Sequence, residues 1–232
     1  MSFFSNFLSA AESEALGLSL RVAGVAVVVA LPLAVLVATV LARKRFFGRG
    51  FLNVLTLLPL VVPPVVTGYS LLLVFGHNGP LGQFFRTCCG LEFSFRWIGA
   101  ALAAGVMSFP LMVRSIRLSL EAIDRRYEDA AATLGARPVV VFVCVTLPLA
   151  LPGIIAAAVL GFAKALGEFG ATISFVASIP GETQTLSLAL YAQLQVPDGE
   201  AQAQRLMVIS LVLAVAAVAL SEWLLGRSVR RA

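Results

Sequence analysis

The stretch from Tyr127 to Pro148, YEDAAATLGARPVVVFVCVTLP, sets a short polar and small-residue segment beside runs of almost unbroken hydrophobicity. Asp124 predicts a helix N-cap, residues 125–134 are good helix formers, and Gly135 followed by Pro138 predicts the stop. On that helix Tyr127, Ala131 and Leu134 fall at i, i+4 and i+7 and share one mildly apolar face. Ala130, Ala131 and Ala132 keep the surface low, so that another protein can approach the backbone closely. Such a helix either docks a partner or floats at the headgroup level of a membrane.

What surrounds this segment decides the class. The chain has 232 residues, of which 59% are hydrophobic and 12% charged, and its mean hydropathy is +0.96. A soluble domain carries about 25% charged residues, so this is a polytopic membrane protein. The net charge of +5 does not point to nucleic acid, because the basic residues sit in loops between apolar runs, where they set orientation. Cys88, Cys89 and Cys144 have no metal-ligand spacing, and His77 stands alone, which leaves no metal site, no cofactor and no nucleophile–base pair. With Lys44 and Lys164 the only lysines, no phosphate-binding G-x-x-x-x-G-K-[ST] loop can be built. The chain is therefore not the part that hydrolyses ATP.

From Val22 to Ala42 there are 21 residues without a charge, enough to cross about 30 Å of hydrocarbon as a helix. Glu12 and Glu14 before it argue against a cleaved signal peptide. Phe51 to Gly76 is also uncharged but holds Pro59, Pro63, Pro64 and Gly68, which predicts a kinked or broken helix, placed beside a pathway or packed against neighbours. Residues 77–96 read as a loop with a turn at Asn78-Gly79-Pro80, and Trp97 as an interface anchor. The expected architecture is all-α and transmembrane, one domain over 1–232. It has about five spans at 18–42, 51–76, 97–117, 149–176 and 206–225, with the polar loop at 119–148. Twelve Lys and Arg fall in the loop after the first span, in 114–148 and in the tail, against Arg86, Arg96 and Arg205 on the other side. The positive-inside rule then puts the polar loop and C-terminus in the cytoplasm and the N-terminus outside.

Lys164 and Glu168, in GFAKALGEFGATISF (Gly161 to Phe175), are the charges predicted to lie inside a span. Their i, i+4 spacing lets them pair, either as a lock on helix packing or as part of a wet cavity, where Lys164 would offer an anion a positive field. Thr67, Ser108, Thr172 and Ser174 are the accompanying hydroxyls, each of which can instead bond its own helix backbone. Without a partner, the same pair would suit a self-contained secondary transporter. Five spans do not divide into two equal repeats, which weakens that alternative; a membrane scaffold that moves nothing is a further one.

The run Asp129-Ala130-Ala131, three residues, Gly135, nine residues, Val145-Thr146-Leu147-Pro148 resembles the EAA loop of importer permeases in the ABC transporter superfamily, with Asp for Glu and Val for Ile. With MSFPLMVRSIRLSLE (Met107 to Glu121), LGEFGATISF (Leu166 to Phe175) and IPGETQTLSLALY (Ile179 to Tyr191), the chain is similar to molybdate importer permeases over almost its whole length. The resemblance implies a type I ABC importer permease fold in the bacterial inner membrane, working as a homodimer. It implies two cytosolic ATPase subunits and a periplasmic molybdate-binding protein, for molybdate and often tungstate; sulfate and thiosulfate permeases share the fold. It also implies that Tyr127, Glu128, Asp129, Ala130, Ala131, Leu134, Gly135, Leu147 and Pro148 couple the permease to the ATPase.

Overall fold

The computed structural model describes residues 9–229, so Arg230 and Arg231 of the basic tail lie outside the described residues. Among the described residues every regular element is helical. Ser9 and Glu12 form a reciprocal capping box, Ser9 N donating to Glu12 Oε2 at 2.7 Å and Glu12 N to Ser9 Oγ at 3.3 Å. Two otherwise orphan amides are thereby satisfied, and α1 (Ala10–Arg43) starts well before the expected 18.

The proline-rich second stretch is broken. α2 (Arg49–Val61) and α3 (Pro64–Phe75) meet at 113°, with Pro63 and Pro64 at the break, where neither has an amide to continue the ladder. The stretch expected as a loop at 77–96 contains α4 (Pro80–Cys89), whose start Gly79 and Pro80 define. Rings of Phe75, Phe85 and Phe93 pack beneath it, with centroids 5.4–6.3 Å apart. α5 (Trp97–Ala122) continues through Pro110 and past the expected end at 117.

The largest correction concerns the polar loop and the fourth span. Beyond the short helix α6 (Arg126–Thr133), the chain re-enters helix at Pro138 and stays helical to Leu166, forming α7 (Pro138–Leu166). The last eleven residues of the expected 119–148 loop thus belong to a membrane helix, and the fourth span does not begin at 149. A five-residue π segment, Phe142–Thr146, lies inside α7, with Leu147 N donating to Phe142 O. Pro148 explains it: its ring clashes with a carbonyl four residues back, and a widened turn relieves the clash without ending the helix. The expected span 149–176 is also interrupted at Gly167-Glu168-Phe169, after which α8 (Gly170–Val176) sets off separately. α9 (Leu186–Gln193) is anchored where Leu186 N donates to the buried Ser19 Oγ at 2.7 Å. α10 (Glu200–Val229) begins six residues before the expected 206. Among the described residues four helices are long and apolar enough to cross a membrane, five spans if α2 and α3 count as one bent span.

α5 is central, packed against α1 on one side and α7 on another, while α10 covers α7. The seam is built of small residues: Ala23, Ala34, Ala38, Ala100, Ala103 and Ala157 are fully buried. Lipid tails are as apolar as leucine, so helices in a membrane associate through close van der Waals packing, which small side chains permit. Val28, Val29, Leu33 and Leu36 on α1 face outward, as a lipid-facing surface requires.

Candidate functional site

α6 is the polar helix on which the fold reading turned. Asp124 Oδ1 accepts from Arg126 N at 3.0 Å, so the expected cap is made, although Arg125 is already helical in conformation. The helix closes where Gly135 takes φ +84° and Gly135 N and Ala136 N donate back to Ala132 O and Ala131 O. A left-handed residue is what such a stop needs, and glycine adopts it without a Cβ penalty. No residue of α6 is buried. Tyr127 is 61% and Leu134 88% exposed, and Asp129, Ala130 and Gly135 are exposed beside them, while Ala131 is half-buried. An apolar, low-relief face therefore stands free of the rest of the chain.

Glu128 points the other way. Its Oε1 accepts from Thr146 Oγ1 at 2.8 Å and lies 2.9 Å from Arg43 Nη2. The resemblance to the EAA loop implies a coupling role for Glu128, whereas in the sequence Arg43 reads as an orientation charge and Thr146 as part of the loop pattern. The helical spacing offered a signal, since Glu128 lies off the face shared by Tyr127 and Leu134. Leu147 and Pro148 do not sit in a loop with α6 but in α7, Leu147 half-buried against the cluster around Ile116 and Ile154 and Pro148 exposed.

The second constellation lies where the two broken stretches meet. Lys164 Nζ donates to Glu168 Oε2 at 2.7 Å, and Glu168 Oε1 accepts from Ala171 N at 3.1 Å. Glu168 is 2% exposed, so its carboxylate joins the end of α7 to the start of α8 across the interruption. α8 packs on α3. Gly68 of α3 faces the Ala171 backbone so closely that a Cβ there would fall on the Ala171 carbonyl, and a Cβ on Gly170 would stand 2.7 Å from Pro64 Cβ. Thr67 is half-buried beside Gly68, and Thr172 is 1% exposed. The structure thus gathers Thr67, Lys164, Glu168, Thr172 and Ser174 at one junction. Ser174 donates to its own Gly170 O at 2.9 Å, and Ser108, on α5, to Ala104 O at 2.8 Å. Those two hydroxyls follow the backbone-bonding alternative.

Two grooves lie away from these six residues. One, about 630 Å³ and apolar, runs between α1, α2 and α5 past Leu33, Leu55 and Phe109. The other, about 310 Å³ and polar, lies at the Trp97 end of α5 among Arg86, Glu92, Arg96 and Glu182. Among the described residues no three His, Cys, Asp or Glu side chains are grouped to hold a metal ion; His77 is exposed, its ring 2.7 Å from Arg86.

The sequence pattern of the family described as "Binding-protein-dependent transport system inner membrane component" matches residues 30–231. The chain is 51% identical over 216 residues to the molybdenum transport system permease protein ModB of Haemophilus influenzae, covering 93% of this chain and 94% of that one. It is also 51% identical over 221 residues to the protein of the same name in Escherichia coli, covering 95% and 96%. Among solved structures, a bacterial ABC transporter involved in the import of the acidic polysaccharide alginate matches with a TM-score of 0.72 at 16% identity, over 98% of this chain and 82% of that one. This last is a likeness of fold.

Proposed function

Because the chain belongs to the family of binding-protein-dependent transport system inner membrane components, we propose that it is the permease subunit of an ATP-driven importer that carries molybdate, and tungstate with it, across the bacterial inner membrane. The fold is that of type I ABC importer permeases. The observation that carries the mechanism is α6, a helix with no buried residue and an outward apolar face. On this reading Tyr127, Asp129, Ala130, Ala131, Leu134 and Gly135 seat in a cytosolic ATPase subunit, which performs the hydrolysis. The substrate is the one named in both molybdenum permease relatives, each matched over nearly its full length.

Two copies of the chain enclose the path. ATP binding draws the two ATPases together, α6 moves with them, and the spans rock between inward- and outward-facing states. A periplasmic binding protein delivers the oxyanion and supplies most of the selectivity. The N-terminus is periplasmic, and α6 and the C-terminus are cytoplasmic. Arg21, which stacks on Trp97 at 3.8 Å, joins Arg86, Arg96 and Arg205 on the outer side, and twelve basic residues against four leave that orientation unchanged.

The test is uptake of labelled molybdate into vesicles holding this chain with its ATPase and binding protein. Excess unlabelled sulfate is the competitor. Uptake that requires ATP and resists sulfate is expected. Uptake abolished by sulfate would move the substrate to sulfate or thiosulfate, and uptake indifferent to ATP would restore the secondary-transporter alternative.

A further inference from the structure

We infer that Glu128 is a positioning residue that passes the displacement of α6 to the ends of α1 and α7, and is not itself a contact of the ATPase; the inference rests on the importer reading above. Arg43 is the last residue of α1, and its side chain is 13% exposed. Its Nη2 stands 2.9 Å from Glu128 Oε1 as an ion pair without hydrogen-bond alignment, and its Nε is buried with no hydrogen-bond partner among the described residues. A buried guanidinium with unused donors is costly, so Glu128 is the group that compensates it. The same oxygen accepts from Thr146. One carboxylate oxygen therefore holds three elements: α6, the cytoplasmic end of α1, and the π segment of α7.

Thr146 supports the reading by what it does not do. The hydroxyls of Thr39, Thr56, Ser70, Thr87, Ser108, Ser174 and Ser210 each turn back to the carbonyl four residues earlier in their own helix, the usual habit of such residues. Thr146, 3% exposed, donates across to another element instead. It is also the last residue of the widened turn, and π turns inside α-helices are frequent at functional positions. A pull on α6 through Glu128 is thus delivered to α7 at its π turn, where the ladder already departs from regular α-helix.

The experiment uses the full complex of permease, ATPase and molybdate-binding protein in vesicles, reading molybdate imported per ATP hydrolysed and, separately, the affinity of the permease for the ATPase. Glu128→Ala is expected to lower the import-to-hydrolysis ratio about tenfold while changing ATPase affinity less than about twofold. Thr146→Val is expected to lower the ratio about threefold and Thr146→Ser to restore it; this pair decides the matter should Glu128→Ala not accumulate. An unchanged ratio in Glu128→Ala or Thr146→Val overturns the inference, as does a parallel loss of ATPase affinity, which would make the carboxylate a docking contact. A parent complex that imports without ATP would instead bring down the importer reading itself, whereas a well-coupled parent with equally well-coupled variants sinks this inference alone.

Discussion

The two ends of α7 are joined to their neighbours in different ways. At the Pro138 end the link to α6 and α1 runs through side chains, a carboxylate meeting a hydroxyl and a guanidinium, and no residue of α6 is buried. At the Leu166 end the side-chain link from Lys164 to Glu168 leads to α8, which lies close on α3, with Gly68 against the Ala171 backbone and Gly170 against the Pro64 ring. Side-chain contacts of the first kind can be remade in a second arrangement at small cost. Interlocked backbone cannot, and it moves as a body. On the importer reading proposed above, input enters α7 at a joint that can pivot and passes on to the close-packed pair α3 and α8.

The sharpest way to break this contrast is to wedge the rigid joint. In Gly68→Val the new Cβ meets the Ala171 carbonyl and stands 2.9 Å from Ala171 Cα and Ser174 Cβ. Backbone is the obstacle, so a loss of about 3 kcal/mol or more is expected. It would be read as a lowered thermal midpoint and a poor yield of monodisperse protein. A variant as stable as the parent would show that α3 and α8 are not interlocked.

A smaller effect is expected from the charge at the same junction. Glu168→Ala strands Lys164 and leaves Ala171 N without its acceptor. Breaking a fully buried pair costs about 3–5 kcal/mol, and because Lys164 is 32% exposed and partly solvated about 2 kcal/mol is expected instead. Adding Lys164→Met should recover about 1 kcal/mol, since the stranded charge is gone. Recovery of stability together with uptake makes the pair a structural lock. Recovery of stability without uptake gives Lys164 a place on the anion path.

Much of this was legible in the sequence, for reasons that differ by residue. The break between α2 and α3 followed from Pro63 and Pro64, whose missing amides are a local property. Gly135 was legible too, because a left-handed stop is written in one residue. The start of α7 was not, since Pro138 reads as a stop for the helix before it and equally as the first residue of the helix after it. The interruption at Gly167 was hidden inside an apolar run, where hydropathy does not separate one span from a helix and a half. Arg43 with Glu128 and Thr146 was invisible because three residues far apart in the chain meet only after folding. Composition had already assigned the arginine another role.

The smallest expected change in stability lies on the free face of α6, where the contrast can be sharpened. Leu134 is 88% exposed, so Leu134→Ser removes no internal contact and should alter stability by less than about 0.5 kcal/mol. Burying a leucine against a partner is worth about 1.5 kcal/mol or more, so the same variant should bind the ATPase about tenfold less tightly. Glu128→Ala is expected to give the opposite pattern, with affinity kept and coupling lost. If the two substitutions behave alike, α6 has no separate outer and inner faces. If they separate, one short helix divides docking from transmission between side chains six residues apart, because a helical turn points them in different directions.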